Sequence, residues 1–154
     1  MTTLPRQSRP SAYQLSNDLR GEAIPAAFHT AEPSEAAREE MVLKKLGLKC
    51  WGRLHHFRHY YAQGWGEGAG KPLSPRALEA FYRFLKTADF SSGRKPSLFL
   101  TDDGNLELCW EDSGGKAVQV EFTPAGAEFF IEAQDREGML PHSEFDELAR
   151  LLAA

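Results

Sequence analysis

A chain of 154 residues, 42% hydrophobic and 26% charged, has the make-up of one soluble globular domain long enough to bury a core. No run of residues is apolar for the length a helical membrane span needs, and the first twenty residues lack the apolar stretch of a secretory signal. The net charge of −4 hides an imbalance: residues 1–96 carry 15 Lys and Arg against nine Asp and Glu, and residues 97–154 carry three against 13. The two halves therefore present opposite potentials, to each other or to partners.

Residues 1–30 are rich in Pro, Ser, Thr and Ala and poor in large apolar residues, the composition of a flexible N-terminal arm. One domain is expected over 31–154. Pro33 and Ser34 announce a first helix over 34–46, with Glu35, Glu39 and Glu40 near its start, Lys44 and Lys45 in its last turn, and Gly47 as a stop. A second helix is expected within 49–63, where Trp51, Leu54, Phe57 and Tyr61 recur at spacings of three and four. The run GWGEGAGKPLSP, with four glycines and two prolines, demands a loop. Trp65 within it is too large and apolar to stand in water, which predicts that it is pinned against the core.

Ser74 as N-cap and Pro75 at the first helical position open a third helix. Its Ala77, Leu78, Phe81, Tyr82 and Leu85 form a continuous stripe, expected to cross the apolar face of a sheet. That sheet is read from 96–132. Leu106, Leu108 and Trp110 alternate with Glu107, Cys109 and Glu111; Val118, Val120 and Phe122 alternate with Ala117, Gln119 and Glu121. Turns at 102–105, 112–115 and 123–126 carry the Gly, Asp and Asn that tolerate positive φ. Residues 134–142 read as a turn-rich link, and a final amphipathic helix runs over 145–153. The class is α+β: a three- or four-stranded antiparallel β-meander with helices packed on one face.

Three groups of residues point to chemistry. His55, His56 and His59 lie three and four apart, so that two imidazoles share a helix face as zinc sites require, although no HExxH is present; a metal-dependent enzyme is one alternative. The segment 41–66 contains no acidic residue, and Lys44, Lys45, Arg53 and Arg58 with Tyr60 form a cationic and aromatic set suited to phosphates and unpaired bases; a nucleic-acid-binding regulator is a second alternative. The blander reading of both groups is a solvated, aromatic-rich helix face. The preferred site is Trp65 with Glu107, Glu111 and Glu121 on the wet face of the sheet, with Glu128 or Glu132 nearby according to register, where carboxylates meet a basic partner surface. Cys50 and Cys109 lack CxxC spacing and read as free thiols of a reduced, cytoplasmic protein. With no catalytic triad, phosphate loop or dinucleotide fingerprint, the expectation is a non-enzymatic protein without cofactor that binds another protein.

The loop Gly64-Trp65-Gly66-Glu67-Gly68, the helix start Pro72-Leu73-Ser74, the turn Thr101-Asp102-Asp103-Gly104 and the strand Leu106-Glu107-Leu108-Cys109-Trp110 together resemble a pattern in small uncharacterised bacterial proteins. These share a GW-x-G loop, a Pro-x-Ser helix start and a DG turn leading to a strand ending in Trp. The resemblance covers about residues 64–122. Acids of the pattern are displaced in GWGEG and absent from LCW. It carries no site residues. It implies a bacterial, phage or mobile-element accessory protein, such as an inhibitor, antitoxin-like, immunity or counter-defence factor.

Overall fold

Tight turns set the sheet. In the computed structural model, which describes residues 33–90 and 95–153, β1 (Ser97–Leu100), β2 (Leu106–Glu111), β3 (Ala117–Thr123), β4 (Gly126–Ile131) and β5 (Arg136–Leu140) form one antiparallel sheet in sequence order. Between β2 and β3, the Asp112 carboxylate accepts from the backbone N–H of Gly114 (2.8 Å) and Lys116 (2.9 Å), so a short side chain closes the turn in place of a strand partner. Between β1 and β2, Gly104 adopts φ 83°, and a Cβ there would stand 2.4 Å from the Pro72 carbonyl oxygen. Only glycine lets this turn dock so closely.

Among the described residues four helices accompany the sheet: α1 (Glu35–Leu46), α2 (Leu48–Tyr60), α3 (Pro75–Thr87) and α4 (Phe145–Ala153). α3 begins as its sequence dictates, with the Ala77 N–H donating to Ser74 Oγ at 3.2 Å and Pro75 leading the first turn. It buries Ala77, Ala80, Phe81, Tyr82, Phe84 and Leu85. On the sheet, Leu98, Leu106, Leu108, Val120 and Phe122 are fully buried. The Phe122 ring lies 5.6 Å from Phe81, 5.2 Å from Phe84 and 6.4 Å from Phe145 between centroids. The apolar face of the meander is thereby closed by α3 and the start of α4. Among the described residues no helix is long and apolar enough to cross a membrane.

A polar seam joins the first three helices. The Glu35 carboxylate accepts from the Tyr82 hydroxyl at 3.0 Å and pairs with Arg58. Arg38 pairs with Glu79 at 3.1 Å and lies 5.0 Å from the centre of the Tyr82 ring. Burial, reinforced by Glu35, pushes the Tyr82 hydroxyl well above the usual tyrosine range, so it stays a donor.

The structure corrects the sequence reading in one element. Residues 134–142 are not a plain link, and the sheet has five strands in place of three or four. β5 pairs with β4 from Ile131↔Arg136 to Ala127↔Leu140, after a turn in which Asp135 takes the left-handed conformation (φ 47°). Its side chains are exposed through Met139, so REGML lacks the apolar alternation by which a half-buried strand is recognised; backbone pairing alone makes it a strand. The N-terminal arm expected over 1–30 lies outside the described residues.

Phe122→Ala removes the ring that Phe81, Phe84 and Phe145 share. It is expected to cost about 3–5 kcal/mol, read as a lowered urea midpoint with unchanged slope.

Candidate functional site

The outward face of the sheet is fixed by what the inward face buries. With Val118, Val120 and Phe122 inward, Gln119 and Glu121 point out. The register then sets Glu107 opposite Glu121 and Glu121 opposite Glu128. Three carboxylates thus stand in one row across β2, β3 and β4. Phe99, opposite Glu107, and Met139, opposite Glu128, end the row with side chains 40% and 46% exposed. Glu111 stands two residues along β2 from Cys109, opposite Ala117. Lys95, Ser97, Cys109, Glu111 and Gln119 line an open groove at this end of the face.

Like charges directly opposite on neighbouring strands destabilise a sheet, and this face answers with hydrogen bonds. The side-chain amide of Asn105, itself buried, donates to Glu121 Oε2 at 2.8 Å. Cys109 Sγ donates to Glu107 Oε2 at 3.3 Å. Burial of Cys109, together with its bond to Glu107 and that residue's charge, pushes the thiol up to about 12. It therefore remains a protonated donor at neutral pH. Glu128 is exposed.

Trp65 is not part of this row. Its indole N–H donates to the Lys71 carbonyl at 2.5 Å. Its ring lies 5.1 Å from Tyr61 and covers Gly70, where a Cβ would come within 2.3 Å of it. Half-buried against the core, as its size and apolarity predict, it fastens the glycine loop to itself. That loop is in turn tied to the β1–β2 turn by Lys71 N–H to the Asp102 carbonyl (2.9 Å) and Ser74 N–H to the Gly104 carbonyl (2.8 Å). The glycine-loop and DG-turn motifs thus form one structural unit.

The cationic set singled out in 44–60 is largely engaged within the fold. The Lys45 ammonium donates to the Leu85 carbonyl and, at 3.0 Å, to that of Ala88, closing the C-terminal end of α3 as a cation suits a helix C-terminus. Arg53 Nε donates to the Leu98 carbonyl at 2.7 Å, and its guanidinium lies 4.9 Å from the centre of the Phe99 ring. Arg58 pairs with Glu35 and, at 3.5 Å, with Glu39. Lys44 and Tyr60 are exposed. Three of the four named cations therefore hold α1, α2, α3 and β1 together, which leaves Lys44 and Lys49 of this segment exposed for contact with a phosphate.

His55 and His59 lie side by side on α2, ring centroids 4.5 Å apart, with Trp51 stacked on His55. His56 is turned away, stacked on Tyr60 at 4.9 Å. Among the described residues no three His, Cys, Asp or Glu side chains come together as a metal site. Cys50, adjacent in sequence, instead donates from Sγ to the Pro96 carbonyl at 3.2 Å, and burial raises its thiol above the ordinary cysteine range.

Sequence reasoning missed Phe99 and Met139 as members of the face, and left Glu128 or Glu132 beside it according to register, a choice that the pairing Glu121↔Glu128 makes. Alternation in SLFL signals Phe99, whereas Met139 lies on a strand without periodic signal. No protein-family model, no curated protein and no solved structure matches this chain.

Cys109, held at about 12, carries on the order of a thousandfold less thiolate near neutral pH than an ordinary thiol. Iodoacetamide labelling at pH 8, followed by mass spectrometry of the folded protein, is expected to be correspondingly slow. Glu107→Gln, which removes the charge opposing ionisation, is expected to accelerate it.

Proposed function

We propose that the chain is a non-enzymatic accessory protein that binds a basic partner protein through the outward face of its sheet. The observation that supports this is the in-register row Glu107–Glu121–Glu128 ended by exposed Phe99 and Met139. Facing carboxylates cost the isolated fold stability, and cations supplied by a partner offset that cost. Phe99, set under the Arg53 guanidinium, and Met139 offer the apolar contact that charged surfaces alone lack. Glu111 extends the row's charge along β2.

The surrounding field favours the same partner. Residues 97–154 carry three basic residues against 13 acidic ones, which speeds encounter with a cationic surface at low salt. Cationic surfaces of this kind are typical of proteins that bind nucleic acid. A chain that occupies one acts as a competitor for it, which fits an inhibitor, antitoxin-like, immunity or counter-defence role. The resemblance to small bacterial proteins agrees with a bacterial or mobile-element setting. Trp65 enters this reading as the residue that shapes the neighbouring loop, and the nucleic-acid alternative is disfavoured because Lys45, Arg53 and Arg58 are engaged.

Glu128→Gln separates stability from binding. It relieves one facing pair and is expected to raise stability by about 0.2–1 kcal/mol, measured by urea denaturation. The same change is expected to weaken capture of a basic protein from host lysate after nuclease treatment, and Glu107→Gln with Glu128→Gln to abolish it at 0.3 M salt. Recovery of nucleic acid alone, or a partner retained by the double variant, overturns the reading.

A further inference from the structure

The two edges of the sheet are finished differently. Strands at an edge present unpaired backbone N–H and C=O groups, and proteins usually cover or blunt them. At β1 the edge is covered. The turn bond from Thr101 N–H to the Asn105 carbonyl fixes the alternation by which Pro96 and Leu98 face away from β2. Their carbonyls are taken by Cys50 and Arg53 of α2, three residues apart and hence on one helix face.

At β5 nothing equivalent exists among the described residues. The two-residue connection between Thr123 and Gly126 makes these a hydrogen-bonded pair, and alternation along β4 makes Ala127, Phe129 and Ile131 bond to Leu140, Gly138 and Arg136. The backbone groups of Glu137 and Met139 therefore point outward. No described strand or helix pairs with them, and residues 136–139 are exposed. β5 has no proline; its charged residues are Arg136, at the start of the strand opposite Ile131, and Glu137, and its Met139 ends the acidic row.

We propose that this edge is a β-augmentation site: an extended basic segment of the partner adds as an antiparallel sixth strand along Glu137–Met139. The inference rests on the reading of the chain as a binder of basic protein and specifies how the partner is held. Main-chain bonds supply affinity and alternate side chains supply selectivity. The added residues that bond to Glu137 and Met139 place their side chains on the outward, acidic face. A Lys opposite Glu137 meets a carboxylate directly. A Lys opposite Met139 lays its stem over the thioether and extends its ammonium towards Glu128 on the next strand. Self-pairing of two β5 strands is disfavoured by charge, because it abuts two segments that each carry three basic residues against 13 acidic ones.

The test uses the full chain and an eight-residue peptide of alternating Lys and Val, with an alternating Glu and Val peptide as control. Saturation with the Lys peptide is expected to slow amide exchange at Glu137 and Met139 at least tenfold, and the Glu peptide to do nothing. Because the Lys residues are those whose N–H groups face β5, N-methylation at Lys is expected to abolish binding while N-methylation at Val leaves it within a few-fold. Met139→Pro removes an outward N–H without touching the β4 ladder and is expected to weaken the peptide at least tenfold; Met139→Ala is expected to retain it. If Met139→Pro fails to fold, the N-methyl pair decides. No peptide binding, binding without protection at Glu137 and Met139, equal effects of the two N-methyl peptides, or dimerisation through β5 overturns the edge proposal. Binding lost on Glu107→Gln with Glu128→Gln but indifferent to N-methylation leaves the acidic-face reading standing and removes only the edge.

Discussion

Everything on the outward face follows from the burial of one ring. Phe122 lies between Phe81 and Phe84 of α3 and Phe145 of α4, and the hydrophobic gain of enclosing it fixes which way β3 faces. Side chains alternate along a strand, so a slip of one residue would send every apolar group of β3 into water and bring Glu121 into the core. The core thus sets the register, and the register lines up Glu107, Glu121 and Glu128. The acidic row is a consequence of the packing beneath it, held despite the repulsion between its members.

The uneven charge of the chain has a division of labour behind it. Four basic residues of the helical part are structural: Lys45 closes the end of α3, Arg53 covers the β1 edge, Arg58 and Arg38 join α1 to its neighbours, while Lys44, Lys49, Lys71, Arg76, Arg83, Lys86 and Lys95 stay exposed. Acidic residues of the sheet part are mostly left on the surface. A single cation over one turn or one edge is a modest contributor to stability, but together these four fasten α1, α2, α3 and β1. Strand register gathers part of the sequence's acidic excess into the row Glu107–Glu121–Glu128.

The glycine loop shows why a large aromatic in a loop is weak evidence for a contact surface. Trp65 satisfies its indole N–H on Lys71 and its ring on Gly70 and Tyr61, and the loop is then tied to the β1–β2 turn. The same loop presents its charges outward while its tryptophan faces inward, and an apolar side chain with a satisfied polar atom has no further need of a partner.

By itself the sequence determined the α+β class, the four helices and the four central strands, because each carries a local instruction. Ser74-Pro75 starts α3, Asp112 and Gly104 make turns, and the periods of 3.6 and two mark which residues face the core. It also determined that Glu107, Glu111 and Glu121 face water. Tertiary structure decided what has no local signal. β5 exists only because β4 offers it backbone partners; Glu128 joins the row only because β3 and β4 pair in that register; and Lys45, Arg53 and Arg58 turn from a candidate binding footprint into internal fastenings only because distant carbonyls and carboxylates come within hydrogen-bond reach. Periodicity reports whether a side chain faces water or the core, whereas strand register, and the bonds of Lys45, Arg53 and Arg58 to partners 19 to 45 residues away, depend on where the core places other strands and helices.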